Sequence, residues 1–217
     1  MNPLRIGVLG ASRIAESAII GPAHTLGHRL VAVAARDRDR AQAFADKYDV
    51  ERVHDDYHSL IDDPEIEMIY NPLANSLHAP WNRAAIEAGK SVLTEKPFAR
   101  NAIEAAAVRD VAQQPGTVVM EAFHYLFHPM MHRTFELLDA GTIGEIRHVE
   151  ITMGMPEPGP DDPRWRYDLA GGAIMDLGCY GLHLFRQLGR YCGGSPNITG
   201  ARALLRDDQI DEACSIN

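Results

Sequence analysis

An α/β fold, with a doubly wound parallel sheet in the first half and an α+β portion after it, is predicted by three observations. Short β-branched runs alternate with helical stretches from Arg5 to about Met120, the pattern of successive βαβ units. A glycine turn, Gly10-Ala11-Ser12, joins the first strand to the first helix. Beyond residue 122 the character changes to an amphipathic helix, an alternating segment, a Pro-rich loop and a glycine-rich helix.

Each element has a local cause. Arg5 to Leu9 is apolar and β-branched enough for a first strand; Arg13 to about Leu26 has helical spacing, and Leu30 to Ala35 is a second strand. Arg38 to Tyr48 forms the next helix, and Glu67 to Tyr70 and Ser91 to Thr94 the next strands. Between those two strands, Ser76 is placed to cap a helix that ends at Gly89. A helix from Ala102 to Gln113 and a strand from Thr117 to Met120 complete the sheet. Right-handed crossovers then put helices on both faces and ligands at the carboxyl ends of the strands. In the second half, Pro129 to Ala140 is a helix closed by Gly141, and Glu145 to Met153 alternates as a half-buried antiparallel strand. Gly171 to Leu188 is a helix, Asn197 to Leu205 a strand, and DEACSIN opens another. The domains so predicted are 1–122, nucleotide-binding, and 123–217, a partial substrate-binding and dimerisation domain.

Composition narrows the function. With 217 residues, 46% of them hydrophobic, the chain can bury one large core or two modest ones. A formal net charge of −9 argues against nucleic acid as a partner, since phosphates call for a basic face. No run of apolar residues is long enough for a membrane span, and MNPLRIGVLG has no basic leader or cleavage site, so a cytoplasmic address is expected. Cys179, Cys192 and Cys214 are odd in number and lack CxxC spacing, which argues against a disulfide framework or zinc. His124, His128 and His132 recur every fourth residue, but Pro129 places His128 ahead of a helix and His124 at a strand end, so no metal site is expected.

The chemistry-bearing motifs lie at the strand ends. Gly10-Ala11-Ser12-Arg13-Ile14-Ala15 follows a strand and opens a helix, the setting in which backbone N–H groups meet a pyrophosphate. Only Gly10 survives of GxGxxG; Ser12 and Ala15 are small enough for close approach, and Ser12 adds a hydroxyl donor. After the second strand comes Ala35-Arg36-Asp37, where Arg36 suits a 2′-phosphate and favours NADP(H) over NAD(H), while Asp37 keeps NAD(H) open. Glu95-Lys96-Pro97 places a cation at the end of a strand, next to a bond at which a cis peptide is inexpensive. On the glycine-rich helix, α-helical spacing puts Asp176, Tyr180 and His183 on one face.

Taken in order, IGVLGASRIA, IYNPLANSLHAPW, AAIEAGKSVLTEKPFA, EAFHYLFHP, GTIGE and GGAIMDLGCYGLH resemble the Gfo/Idh/MocA oxidoreductase family along the whole chain. Tyr four residues after Asp is similar to the branch holding glucose-fructose oxidoreductase, dimeric dihydrodiol dehydrogenases and NADP-dependent aldose dehydrogenases. The resemblance implies a Rossmann domain followed by a domain on a mainly antiparallel sheet. It implies hydride transfer between NADP(H) and a CH–OH or carbonyl group of a sugar, polyol or related cyclic hydroxy compound, with Lys96, Asp176 and Tyr180 at the substrate. Lys96 lowers the Tyr180 pKa or stabilises the alkoxide in that picture, and Asp176 orients the lysine or a second hydroxyl. Leu73, Asn75 and His78 would lie along the cofactor, as would Glu95; Arg164, Trp165, Tyr167 and His183 would reach substrate. The resemblance also implies a homo-oligomer, a dimer or tetramer, for a full-length relative. Against the family's length this chain ends in a strand, so the second sheet is expected to be incomplete at the C-terminus, as in a truncated frame or fragment. A non-catalytic nucleotide-binding sensor or an inactive fragment on the same fold is the alternative.

Overall fold

The structure, a computed structural model, describes residues 2–113 and 115–217. The chain divides into two compact units, Met1–Ala122 and Phe123–Asn217.

The first unit is a six-stranded parallel sheet wrapped by helices. Its strands are β1 (Arg5–Leu9), β2 (Arg29–Ala34), β3 (Arg52–His54), β4 (Met68–Asn71), β5 (Ser91–Thr94) and β6 (Val119–Glu121). Their order, β3-β2-β1-β4-β5-β6, reverses direction between β1 and β4, and the crevice outside that reversal is where such sheets take ligands. The connecting helices are α1 (Gly21–Leu26), α2 (Arg38–Tyr48), α3 (Tyr57–Ile61), α4 (His78–Glu87) and α5 (Ala102–Val111). A wide helical turn, Glu16–Ile20, leads into α1.

Alternation along the strands separates two cores. Ile6, Val8 and Tyr70 pack with Ile19, Ile20 and Phe44 on the α1 and α2 face. On the other face, Leu9, Val31 and Ile69 pack with Leu60, Ile61, Ile86 and Val108. Every one of these residues is buried, and burial of a large aliphatic side chain contributes about 1.5–3 kcal/mol, so the two cores dominate this unit's stability. Helix starts are sealed by short acceptors: Asp37, Asp56 and Asn101 each accept a backbone N–H at the head of α2, α3 and α5.

Three expectations change. The edge strand β3 and the five-residue α3 were not predicted, because three residues of ERVHDD carry too little apolar pattern to announce a strand. Ser76 is not the cap of α4: it is buried inside a single tight turn, Asn75–Leu77, and α4 starts at His78 after Leu77 with no side-chain cap. Residues 145–153 form no strand, because among the described residues no neighbouring strand supplies a ladder for them.

The second unit holds α6 (Pro129–Asp139), α7 (Cys179–Leu188) and an antiparallel pair, β7 (Ala201–Leu205) and β8 (Asp211–Ile216). His128 caps α6, its Nδ1 accepting from the Met130 N–H at 3.1 Å, with Pro129 in the first turn. His124 does not end a strand; β6 stops at Glu121, and His124 opens a short turn, His124–Phe127.

Candidate active site

At the mouth of the parallel sheet, Gly10 leaves β1 with φ +83°, a conformation that a side chain would strain. A Cβ there would lie 2.8 Å from the Leu73 Cδ2, so the turn and the loop after β4 close on each other only because position 10 is glycine. The Gly10 N–H donates to the Ala34 carbonyl at 2.6 Å, pinning the turn to β2. The Ser12 hydroxyl is buried yet has no hydrogen-bond partner among the described residues. Such an unpaired buried polar atom is costly and fits a bound anion or ribose that would satisfy it. Arg13 and Ile14 are exposed beside it.

The arginines after β2 have different tasks. Arg38 pairs with Asp55, and the Arg40 guanidinium donates to the Ala11 carbonyl at 3.2 Å, bracing the glycine turn. The Asp37 carboxylate is taken up in capping α2, accepting from the Arg40 N–H at 3.0 Å. Arg36 is exposed and carries no ion pair among the described residues. Burial pushes the Tyr57 phenol up, while the Arg36 charge and a hydrogen bond from the Arg36 backbone oppose it, so Tyr57 sits at the same corner.

On the far side of the mouth, β5 ends in the Glu95-Lys96-Pro97 turn, and the Lys96-Pro97 bond is cis. The Tyr70 hydroxyl donates to the Glu95 Oε1 at 2.8 Å; burial and then that carboxylate push the phenol far up, keeping it a donor. His78 is 1% exposed. Its Nδ1 lies 2.7 Å from the Pro97 carbonyl and its Nε2 lies 2.8 Å from the Leu73 carbonyl. The His78 ring thus sits as a strut between the two loops, between two backbone carbonyls of which a neutral imidazole donates to one. Burial lowers its pKa. Behind it, the Asn71 side chain donates to Asn82 at 2.8 Å and accepts from the Leu73 N–H at 3.3 Å, fixing the loop that carries Leu73.

In the second unit the glycine-rich helix starts with a wide turn, Ile174–Gly178, before α7. The wider turn alters the phase assumed by α-helical spacing. Tyr180 and His183 share one neighbourhood: His183 stacks on Phe123 at 3.9 Å between ring centroids, and Tyr180 meets Phe123 edge-on at 5.4 Å. The Tyr125 hydroxyl lies 2.8 Å from the His183 Nδ1 and the Gln187 amide 3.3 Å from Nε2, so both ring nitrogens of His183 have protein neighbours. Burial holds the His183 imidazole low and pushes Tyr125 up to about 12, which keeps the pair neutral. The Asp176 Oδ2 lies 3.2 Å from the Arg164 Nε. Both line a cavity of about 550 Å3 whose apolar wall includes Met153, Trp165, Phe185 and Leu204. Tyr167, 63% exposed, is outside that wall.

Residues 4–123 match the profile of the oxidoreductase family Gfo/Idh/MocA, described as an NAD-binding Rossmann fold. Residues 131–212 match the Gfo/Idh/MocA C-terminal domain. The chain belongs to the Gfo/Idh/MocA oxidoreductase family. Among relatives, the "D-xylose 1-dehydrogenase (NADP(+)) 2" of Haloferax volcanii is 39% identical over 98% of this chain and 64% of that protein. A dTDP-3,4-didehydro-2,6-dideoxy-alpha-D-glucose 3-reductase of Streptomyces violaceoruber is 35% identical over 97% of this chain and 60% of its own length. The crystal structure of KijD10, a 3-ketoreductase from Actinomadura kijaniata in complex with NADP and TDP-benzene, superposes with a TM-score of 0.87 at 31% identity, covering 99% of this chain and 66% of that one. This Gfo/Idh/MocA chain thus spans less than two thirds of the length of the curated relatives it matches.

Within the Gfo/Idh/MocA frame, the first unit gathers Gly10, Ser12, Leu73 and Arg36 around one mouth, with Lys96 at the end of β5. Asn75 lies in the tight turn before α4. The sequence alone did not single out Tyr57 and Tyr70, which brace the mouth through long-range bonds that no local pattern announces. No helix is long and apolar enough to cross a membrane among the described residues.

Proposed function

We propose that this chain is an NADP(H)-dependent oxidoreductase that moves a hydride between the nicotinamide and a CH–OH or carbonyl carbon of a sugar or related cyclic hydroxy compound. The observation that carries the reading is a strand-end lysine, Lys96, on the same sheet mouth as a buried Ser12 hydroxyl that awaits a partner. Gly10, Ser12, Arg13 and Ile14 would hold the pyrophosphate, Arg36 the 2′-phosphate, and Leu73, Asn75 and Glu95 the nicotinamide side. When bound, NADP(H) supplies the hydride acceptor or donor.

The proton falls to the protein. In the oxidation direction the substrate hydroxyl loses its proton as its carbon loses hydride, and the oxygen passes through alkoxide character. Tyr180, acting from its phenolate form, is the group that accepts that proton, and as the phenol it returns it in the reduction. Lys96 stabilises the negative charge on the oxygen. Asp176, paired with Arg164, orients a neighbouring polar group or a second substrate hydroxyl. The relatives named for a pentose dehydrogenase and a deoxyketosugar reductase support sugars as the substrate class.

Two measurements test this. In fluorescence titrations NADPH binds more tightly than NADH, and Arg36→Ala lowers the preference by about 10-fold or more, the size expected for losing hydrogen bonds to a charged group. Equal preference in the variant, or tighter NADH in the wild type, overturns the assignment of Arg36. Aldoses and dihydrodiols screened by nicotinamide absorbance show turnover; tight cofactor binding with no turnover on any of them favours a non-catalytic role.

A further inference from the structure

The helix bearing Asp176 and Tyr180 starts without a cap of its own. Gly171, Gly172 and Ala173 have no side-chain oxygen, and no side-chain cap is formed at Ala173. The acceptor arrives from 37 residues away, where the Asp211 Oδ2 takes the Ile174 N–H at 2.8 Å. Gly172 is buried with φ +107°, and a Cβ at that position would strike the Asp211 carboxylate, so glycine and aspartate are matched in shape.

Asp211 is itself firmly set. The turn between β7 and β8 closes on Asp207, whose Oδ1 accepts from the Gln209 N–H at 2.8 Å and the Ile210 N–H at 2.9 Å. Ile210 is 1% exposed and anchors the start of β8. From the other direction the Gly172 N–H donates to the Arg164 carbonyl at 2.8 Å, and the Asp176 N–H donates to the Gly172 carbonyl at 3.0 Å. Gly172 therefore joins the Asp211 cap to the Arg164–Asp176 pair. A carboxylate at this end of a helix also meets the favourable end of the helix dipole.

The geometry points to Asp211 as a positioning residue: from β8 it holds the first turn of the helix, and so sets where Asp176 and Tyr180 stand. The inference rests on the catalytic roles proposed above for those two residues. Asn at 211 keeps a side-chain carbonyl acceptor and Ala does not, which separates the hydrogen bond from mere occupancy of the site.

The experiment compares wild type, Asp211→Asn and Asp211→Ala by amide exchange and chemical shift in NMR, and by turnover per bound NADPH well below each variant's melting temperature. Asp211→Ala is expected to speed exchange of the Ile174 amide about 10-fold, as for a lost cap, and to shift the Asp176 and Tyr180 amides. Its kcat falls about 10-fold with little change in NADPH affinity, and Asp211→Asn restores both within about 3-fold. Unchanged exchange and shifts in Asp211→Ala overturn the inference, as does faster exchange with kcat unaltered. If wild type turns over no substrate, the functional reading fails by that result alone. The exchange and shift data then still decide whether Asp211 sets the turn.

Discussion

Replacing Tyr180 by Phe is expected to lower kcat by about 10²- to 10⁴-fold, the range supplied by a positioned acid or base. The substitution deletes one oxygen and keeps the ring, with its edge-on contact to Phe123 at 5.4 Å and its aromatic neighbours Tyr125 and His124. Stability and NADPH affinity should therefore change little, which makes the loss a chemical one. A pH profile adds a second reading, because the limb assigned to the phenol should vanish in the variant. Full activity in Tyr180→Phe would remove the tyrosine from the proton path. Parallel losses of kcat and melting temperature would instead make it a packing residue.

Lys96→Met is expected to lower kcat by about 10²- to 10³-fold, comparable to removing one preorganised donor from a developing oxyanion. Methionine retains most of the aliphatic stem and no charge. The backbone around it is held independently: the Glu95 N–H donates to the Asn71 carbonyl at 2.9 Å, the Glu95 carboxylate accepts from Tyr70, and the Pro97 carbonyl meets His78. The turn should therefore survive the exchange, and NADPH titration should move by less than about 10-fold while turnover collapses. Turnover within a factor of a few of wild type would show that the cation is dispensable.

Much of the fold was written in local pattern. The first strand, Arg5–Leu9, and Ser91–Thr94 are short apolar runs between turn residues, and α2 is bracketed by Asp37 and Tyr48, so the chain announces its own boundaries there. What stayed hidden depended on partners distant in sequence. β3 exists because β2 offers it an edge, and residues 145–153 are unpaired because alternation alone makes no ladder. The site followed the same division. Gly10, Lys96 and Tyr180 each sit in a motif that singles them out, whereas the buried contacts of His78 and the stacking of His183 on Phe123 depend on partners that no local pattern names. Asp211 had no local mark at all, since its significance is a bond to a helix 37 residues earlier.

The wide turn Ile174–Gly178 makes spacing along this helix a matter of count as well as identity. Each residue of an α-helix advances by about 100°, and a wide turn accommodates one residue more than a regular turn would. Losing a single residue there would leave the helix continuous and every motif letter in place. The wide turn would close to a regular one, and the residues after it, Tyr180 included, would keep their facing. A homologue with one residue fewer between the two can therefore present its tyrosine from the same side of the helix, so the interval in sequence is a poorer guide than the turn that spans it.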